Sequence, residues 1–131
     1  MTLSSKRILV VDDDPDLLQL VRVLLLRVNV EVATAEHASI AAQKLRSEPL
    51  PDLLILDLML PDISGIDFLR QLREQPKFDM LPVLVLSALI DPEQIRNALN
   101  CGADRYLTKP YIAHNLISVV QEILKTGRRR T

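Results

Sequence analysis

Residues with reactive or charged side chains stand where four apolar segments of this chain stop. They are Asp12 and Asp13 after the first segment, Asp57 after the second, Ser87 after the third and Lys109 after the fourth. If these segments are neighbouring strands of one sheet, three carboxylates, a hydroxyl and an ammonium group meet at one edge. Two carboxylates about 4 Å apart repel by roughly 4 kcal/mol at an effective dielectric constant near 20, so such a cluster needs a cation or must take up a proton.

The oxygen ligands of this cluster, with no histidine or cysteine beside them, favour a hard divalent cation such as Mg²⁺. Magnesium keeps several of its waters and often shares its coordination shell with a phosphate. Phosphoryl transfer also needs an in-line nucleophile, together with cationic or hydrogen-bonding groups that stabilise the remaining charge. Asp57 can supply the nucleophile, Lys109 the positive charge and Ser87 the hydrogen bond. The residue types therefore predict a site for phosphoryl chemistry.

Short runs of β-branched residues and leucines alternate with longer segments of helical period along the chain. This alternation is typical of βα units that build a parallel sheet covered by helices on both faces. The predicted strands cover residues 7–11, 30–34, 53–56, 82–86 and 105–108, and the predicted helices cover residues 15–28, 36–47, 64–74, 92–101 and 112–125. Ligands of such sheets bind beyond the carboxyl ends of the strands, which is where the reactive residues follow.

Composition restricts the classes of protein to which the chain can belong. Its 131 residues fit one domain, with 48% apolar residues for a core and 25% charged residues for a surface. The single cysteine excludes an intrachain disulfide and a cysteine-based zinc site, and it favours a reducing, cytoplasmic location. No segment has the character of an export signal or a membrane-spanning helix, so we predict no membrane association.

Charge and aromatic content argue against direct nucleic-acid binding by this domain. Aromatic residues make up 3% of the chain, which leaves few rings for stacking on bases. Without the three arginines at 128–130, 13 basic residues stand against 17 acidic ones. We therefore assign residues 1–125 to one domain and residues 126–131 to a basic C-terminal tail or truncated linker, whose arginines we expect to be solvated.

Four motifs together resemble the receiver domain of two-component response regulators: ILVVDDDPDLL, LLILDLMLPDISGIDFL, PVLVLSA and GADRYLTKPY. The resemblance covers about residues 6–125. It implies an α/β fold of the flavodoxin-like, doubly wound type, with a five-stranded parallel sheet in the order 2-1-3-4-5 and five flanking helices. It also implies a signalling domain, not an enzyme, in which Asp57 accepts a phosphoryl group from a sensor histidine kinase or a histidine phosphotransfer protein. Such a domain assists its own phosphorylation and dephosphorylation.

The resemblance further implies which residues hold the metal ion. Asp12 and Asp13 would bind Mg²⁺ together with Asp57, with Asp13 the more direct ligand of the acidic pair. A backbone carbonyl two residues after the phosphoacceptor would complete the protein ligands, and this position is Met59. The apolar side chain of Met59 is no objection, because only its carbonyl oxygen is used.

A conformational switch and its partners follow from the same resemblance. Lys109 would pair with the phosphoryl oxygens, and the Lys109-Pro110 bond would be cis. Ser87 would move toward the phosphoryl group and vacate space into which Tyr106 turns. This movement would alter the face formed by the fourth helix, fifth strand and fifth helix, which would bind an output domain, a target protein or, on phosphorylation, a second copy of the domain.

Two other functions fit parts of the sequence. A receiver-shaped module that is never phosphorylated would act through protein contacts alone, but it would be expected to lack the acceptor, the acidic pair or the lysine. Asp12 and Asp14, which are separated by one residue after an apolar strand, also resemble the nucleophile motif of haloacid dehalogenase phosphatases, which use Asp and Mg²⁺. That interpretation leaves Asp57 unexplained.

Overall fold

The computed structural model describes residues 6–47, 49–88, 91–109 and 112–128, with side chains from residue 115 onward in the last range. The strands are β1 (Lys6–Val11), β2 (Val30–Ala35), β3 (Leu53–Leu56), β4 (Val83–Ser87) and β5 (Arg105–Thr108). The α-helices are α1 (Pro15–Leu25), α2 (Ala38–Arg46), α3 (Gly65–Arg73), α4 (Pro92–Asn100) and α5 (Ile112–Thr126), and a short 3-10 helix covers Pro76–Phe78. None of the described helices is long and apolar enough to cross a membrane.

The strands form one parallel sheet in the order β2-β1-β3-β4-β5. This order and the flanking helices confirm the predicted fold class. The central strand β3 is an uninterrupted apolar run, and each of its residues is at most 1% exposed. Burial on both faces explains why this strand lacks the alternation of polar and apolar residues that a half-exposed strand would show.

Alternate residues of the central strands point to opposite faces of the sheet and enter separate apolar clusters. One cluster joins β1, β3 and β4 to α2, α3 and α4, through side chains such as Leu54, Leu69 and Val85. The other joins the same strands to α1 and α5, through side chains such as Ile55, Leu25 and Leu116. Because both faces are packed, the ends of the strands are held in a fixed arrangement.

Helix α1 ends earlier than its apolar periodicity predicts. The pattern extended to residue 28, whereas the helix stops at Leu25. Beyond that point the N–H of Arg27 bonds the Leu24 carbonyl and the N–H of Val28 bonds the Leu25 carbonyl, which tightens the last turn. Val28 still packs against the second cluster. Its place in the apolar pattern therefore reports contact with the core rather than helical conformation.

The C-terminal segment contacts the end of the sheet where the strands begin. Arg128 Nε lies 2.9 Å from Asp104 Oδ1, and another of its nitrogens donates to the Asp79 carbonyl. Asp104 also accepts from Arg73 and from the N–H of Val83, so both oxygens of its nearly buried carboxylate are hydrogen-bonded. Burial and the nearby Arg128 charge lower the pKa of Arg73 to about 10. Arg128 thus departs from the expected solvated tail, and residues 129–131 lie outside the described residues.

Candidate functional site

The sheet register places Asp12 and Asp57 side by side at the carboxyl edge of the sheet. Val11 is paired with Leu56, so the residues that follow them are neighbours. The N–H of Asp57 donates to the Val11 carbonyl at 2.9 Å, and the N–H of Asp12 donates to the Ala35 carbonyl at 3.0 Å. Both backbones therefore continue the sheet by one residue, which directs two carboxylates into the same space.

Lys109 joins these two carboxylates from the end of β5. Its Nζ lies 3.1 Å from Asp12 Oδ2 and 3.3 Å from Asp57 Oδ2. Asp12 and Asp57 are 1% and 2% exposed, whereas the lysine side chain keeps 25% of its surface accessible. The bond between Lys109 and Pro110, expected to be cis, lies outside the described residues. One cation thus serves two buried anions, which leaves the cluster with a net negative charge.

Asp13 completes an acidic cluster with Asp12 and Asp57. One carboxylate oxygen of each residue lies within 4.8 Å of the others, and Asp13 is the exposed member. Asp12 Oδ2 is buried and lies 3.1 Å from Lys109 Nζ, but no hydrogen bond of ordinary geometry reaches it from the described residues, so a lone pair remains. Met59 lies in the following loop, and its N–H donates to Asp57 Oδ1 at 3.2 Å. An all-oxygen donor set with an unsatisfied buried oxygen fits a hard divalent cation.

Burial opposes ionisation of the two inner carboxylates. It raises the pKa of Asp57, and the charge of Asp12 raises it further. Burial also raises the pKa of Asp12 and outweighs the hydrogen bond from the Asp14 N–H and the ion pair with Lys109. For Lys109, burial alone would lower the pKa, but the pairing with Asp12 and the charge of Asp57 outweigh it and raise the pKa. The lysine therefore stays charged while the carboxylates still lack full compensation.

Asp14 does not belong to this cluster. Its Oδ1 accepts a hydrogen bond from the Asp16 N–H at 3.0 Å, which makes it the N-cap of α1, and Pro15 occupies the first helical position. Asp16, in the first turn, is favoured there by the helix dipole. The phosphatase alternative required Asp14 to act with Asp12, and this arrangement does not favour it.

Ser87 and Tyr106 meet across β4 and β5, one strand beyond the acidic cluster. Ser87 is fully buried at the end of β4. Burial raises the pKa of Tyr106, a hydrogen bond with Ser87 opposes this effect, and the Asp57 charge adds to it. The tyrosine is partly buried and packs against the first apolar cluster. The two residues that the resemblance links to a switch are therefore in contact, and the Asp57 charge contributes to the raised pKa of Tyr106.

Gly65 is a residue of the site that the sequence did not single out. It begins α3, and its N–H donates to the Leu58 carbonyl at 2.8 Å. A Cβ atom at this position would lie 2.4 Å from the Asp57 carbonyl oxygen and 2.5 Å from Leu58 Cα. Both contacts are with backbone, which cannot move aside without moving Asp57. A glycine at the start of a short helix was the available signal, because glycine is unfavourable within helices.

Gly65→Ala is expected to destabilise the domain by about 1–3 kcal/mol, because an overpacked contact must displace backbone. The displaced backbone is that of Asp57, so we also expect slower phosphoryl uptake. Gly127→Ala provides a matched control, since Gly127 has φ +70° and no atom within 4 Å of a new Cβ. That variant should lose about 1 kcal/mol from the left-handed backbone alone. Urea unfolding and phosphoryl uptake measure both; equal uptake in the two variants would contradict the positioning role of Gly65.

Comparisons with known proteins agree with this geometry. The sequence profile described as the response regulator receiver domain matches residues 8–121. A 14.6 kDa protein of Leptolyngbya boryana is 40% identical over 92% of both chains. The alkaline phosphatase synthesis transcriptional regulatory protein PhoP of Bacillus subtilis is 38% identical over 92% of this chain but 49% of its own length. The structure of the chemotaxis response regulator CheY4 of Vibrio cholerae aligns with a TM-score of 0.84 and 28% identity, over 92% of this chain and 99% of that chain.

Proposed function

The chain belongs to the response regulator receiver domain family of two-component signal transduction, and we propose that Asp57 is its phosphoacceptor. The observation that carries this proposal is the convergence of Asp57, a second buried carboxylate and one shared lysine at the carboxyl edge of the sheet. Parallel α/β sheets bind their ligands at this edge. A cytoplasmic location stays a prediction that depends on the single cysteine.

In the proposed reaction, a carboxylate oxygen of Asp57 attacks the phosphorus of a phosphodonor. A new O–P bond forms while the bond from phosphorus to the donor breaks, and the electron pair of that bond stays with the donor. The N–H of Met59 holds Asp57 Oδ1 at 3.2 Å, and Lys109 Nζ lies 3.3 Å from Oδ2, so the carboxylate is oriented before the donor arrives. Lys109 also supplies positive charge for the phosphoryl oxygens, and such preorganised charge is usually the largest catalytic contribution.

We propose Mg²⁺ as the cation of this site. Asp12, Asp13 and Asp57 would hold it through carboxylate oxygens, and Met59 through its backbone carbonyl. Bound Mg²⁺ neutralises clustered carboxylates and withdraws charge from a phosphoryl group. The buried Oδ2 of Asp12 supports this assignment, because Lys109 compensates it only in part and a second cation would use its remaining lone pair.

Receiver domains interact with histidine kinases and with output domains, and we propose the same partners here. The phosphoryl donor would be a sensor histidine kinase or a histidine phosphotransfer protein. A phosphoryl group on Asp57 would offer Ser87 a charged acceptor and so compete with its hydrogen bond to Tyr106. The face formed by α4, β5 and α5 would then change, and it would bind an output domain, a target protein or a second copy of the domain.

The wild-type domain, incubated with Mg²⁺ and acetyl phosphate, is expected to gain one phosphoryl group, or about 80 Da in intact mass. The gain should disappear in EDTA, because the uncompensated carboxylates would repel the anionic donor. Peptide mapping should place the added mass on the segment that contains Asp57. A folded domain that binds Mg²⁺ but gains no mass would instead support the module that acts through protein contacts alone.

A further inference from the structure

Asp62, in the loop between β3 and α3, bonds the first turn of a different helix. Its Oδ1 accepts the N–H of Ala38 at 3.0 Å, and its Oδ2 accepts the N–H of Ser39 at 3.0 Å. These residues begin α2, 24 and 23 positions earlier in the chain. His37 is the N-cap residue of α2, and its side chain makes no capping hydrogen bond. The free N–H groups at the start of α2 are therefore satisfied by a carboxylate from another loop.

The charge on Asp62 strengthens this connection. Hydrogen bonds from the backbone N–H groups of Ala38 and then Ser39 lower the pKa of Asp62. Its Oδ2 also lies 3.6 Å from His37 Nδ1, whose nearer contact is the Ser39 hydroxyl at 2.8 Å. An ionised carboxylate that accepts two backbone N–H groups is a charge-assisted contact, roughly twice as strong as a neutral hydrogen bond.

The loop that contains Asp62 also carries Met59, the proposed carbonyl ligand. The ends of the loop are held by the Met59 N–H on Asp57 and by the Gly65 N–H on Leu58. Between these ends, the described hydrogen bonds that lead to another element are those of Asp62. The loop lines an open cleft of about 480 Å³, which Asp13 also lines. Asp62 thus connects the loop that carries Met59 to α2. This helix follows β2, the strand that pairs with β1.

We infer that Asp62 is a positioning residue, which holds the loop between β3 and α3 so that the Met59 carbonyl faces the acidic cluster. The inference rests on the proposed function of the site. A carbonyl on an otherwise exposed loop binds a cation well only if its position is set in advance, because ordering the loop on binding would cost conformational entropy. Residues that orient metal ligands without touching the metal typically change metal affinity by about 10- to 100-fold when they are removed.

Asp62→Ala is therefore expected to weaken Mg²⁺ binding by about tenfold. A titration with MgCl₂, followed through the NMR chemical shifts of the backbone amides, gives the Mg²⁺ affinity without any phosphoryl transfer. The titration is run at about 1 M NaCl, where the Debye length is about 3 Å, so that loss of a nearby negative charge contributes little. Asp67→Ala removes an exposed carboxylate of α3 that pairs with Arg70, and it should leave Mg²⁺ affinity unchanged.

A second substitution separates loop positioning from simple helix capping. His37→Ser in the Asp62→Ala background gives α2 its own N-cap, worth about 1 kcal/mol. We expect this double variant to recover melting temperature and slow hydrogen exchange at Ser39 or Ile40, the amides that an N-cap serine can bond, but to keep the weak Mg²⁺ affinity. Recovery of Mg²⁺ affinity together with stability would show that Asp62 acts only as a helix cap. Unchanged Mg²⁺ affinity in Asp62→Ala would equally overturn the inference.

The two proposals can fail separately in this experiment. A wild-type domain that binds Mg²⁺ but gains no phosphoryl group contradicts the phosphoacceptor role of Asp57, while the affinity of Asp62→Ala still decides the positioning role. A wild-type domain without measurable Mg²⁺ affinity contradicts both. Normal phosphorylation of the wild type with equal Mg²⁺ affinity in Asp62→Ala contradicts the positioning role alone.

Discussion

Asp57→Asn is expected to gain no phosphoryl group from acetyl phosphate and Mg²⁺. The amide is a poor nucleophile and carries no charge, whereas its size matches the carboxylate in a site that is 2% exposed. Intact mass measures the result, as a loss of the increase of about 80 Da seen in the wild type.

A matched control tests whether the loss is specific to the site. Asp67→Asn removes one carboxylate from the exposed surface of α3 and should keep the full mass gain. A full mass gain in Asp57→Asn would place the acceptor elsewhere, with Asp13 the next residue to substitute, since it is the exposed member of the acidic cluster.

Asp57→Asn should also melt at a higher temperature than the wild type in EDTA at neutral pH. Burial and the Asp12 charge raise the pKa of Asp57 in the folded state above the ordinary value of an aspartate. The folded state therefore binds protons more tightly than the unfolded state, and stability falls as pH rises from about 4 through the folded-state pKa. At neutral pH the ionised carboxylate destabilises the metal-free fold, and asparagine removes this effect.

The difference in melting temperature between Asp57→Asn and the wild type should depend on pH, and this dependence tests the explanation. The advantage of Asp57→Asn in EDTA should be largest near neutral pH and should vanish as the pH falls below about 4, where the wild-type carboxylate becomes protonated in both states. Mg²⁺ at 100 times its dissociation constant should add about 2.7 kcal/mol to the wild type and less to the variant. A clear loss of stability in Asp57→Asn at neutral pH would contradict an uncompensated acidic cluster.

Lys109→Met is expected to slow phosphoryl uptake by about 100-fold and to destabilise the metal-free fold by about 3 kcal/mol. Lys109 Nζ is within 3.3 Å of both buried carboxylates, so its removal leaves two anions without their described cation. Removing one partner of a buried ion pair typically costs about 3–5 kcal/mol, and loss of one transition-state charge partner costs about 10²–10³ in rate. The time course of mass gain and urea unfolding in EDTA measure the two effects.

The cause of the Lys109→Met effect can be checked with a second lysine and with the metal. Lys125→Met removes an exposed lysine near the end of α5 and should change neither rate nor stability by much. Mg²⁺ should return part of the lost stability to Lys109→Met, because a divalent cation can neutralise Asp12 and Asp57 without the lysine. A wild-type rate in Lys109→Met would exclude its proposed role on the phosphoryl oxygens.

The sequence by itself determined the strands, the helix-covered parallel sheet and the residues at its carboxyl edge, whereas the strand order followed from the resemblance to receiver domains. Strand bounds follow from local apolar runs, and the uninterrupted run of β3 indicates burial on both faces. The site residues could be named because each follows such a run, and parallel strands bring their carboxyl ends together. Local pattern sufficed here for two reasons. Each strand shows its own run of apolar residues, and all strands of a parallel sheet run in the same direction, so the residues that follow them lie at one edge.

Only the tertiary structure decided which polar side chains and backbone segments from different elements meet. Asp62 could have paired with several neighbouring cations or with water, and its contact with α2 depends on how two loops pass each other. Gly65 is required by an approach of α3 to the Asp57 backbone that no local pattern encodes. Arg128 reaches Asp104 only because α5 ends beside the start of β5. A polar side chain has many possible partners, and its contacts with them differ little in free energy. Apolar residues share one requirement, burial, and it produces a regular spacing of apolar residues that can be read from the sequence.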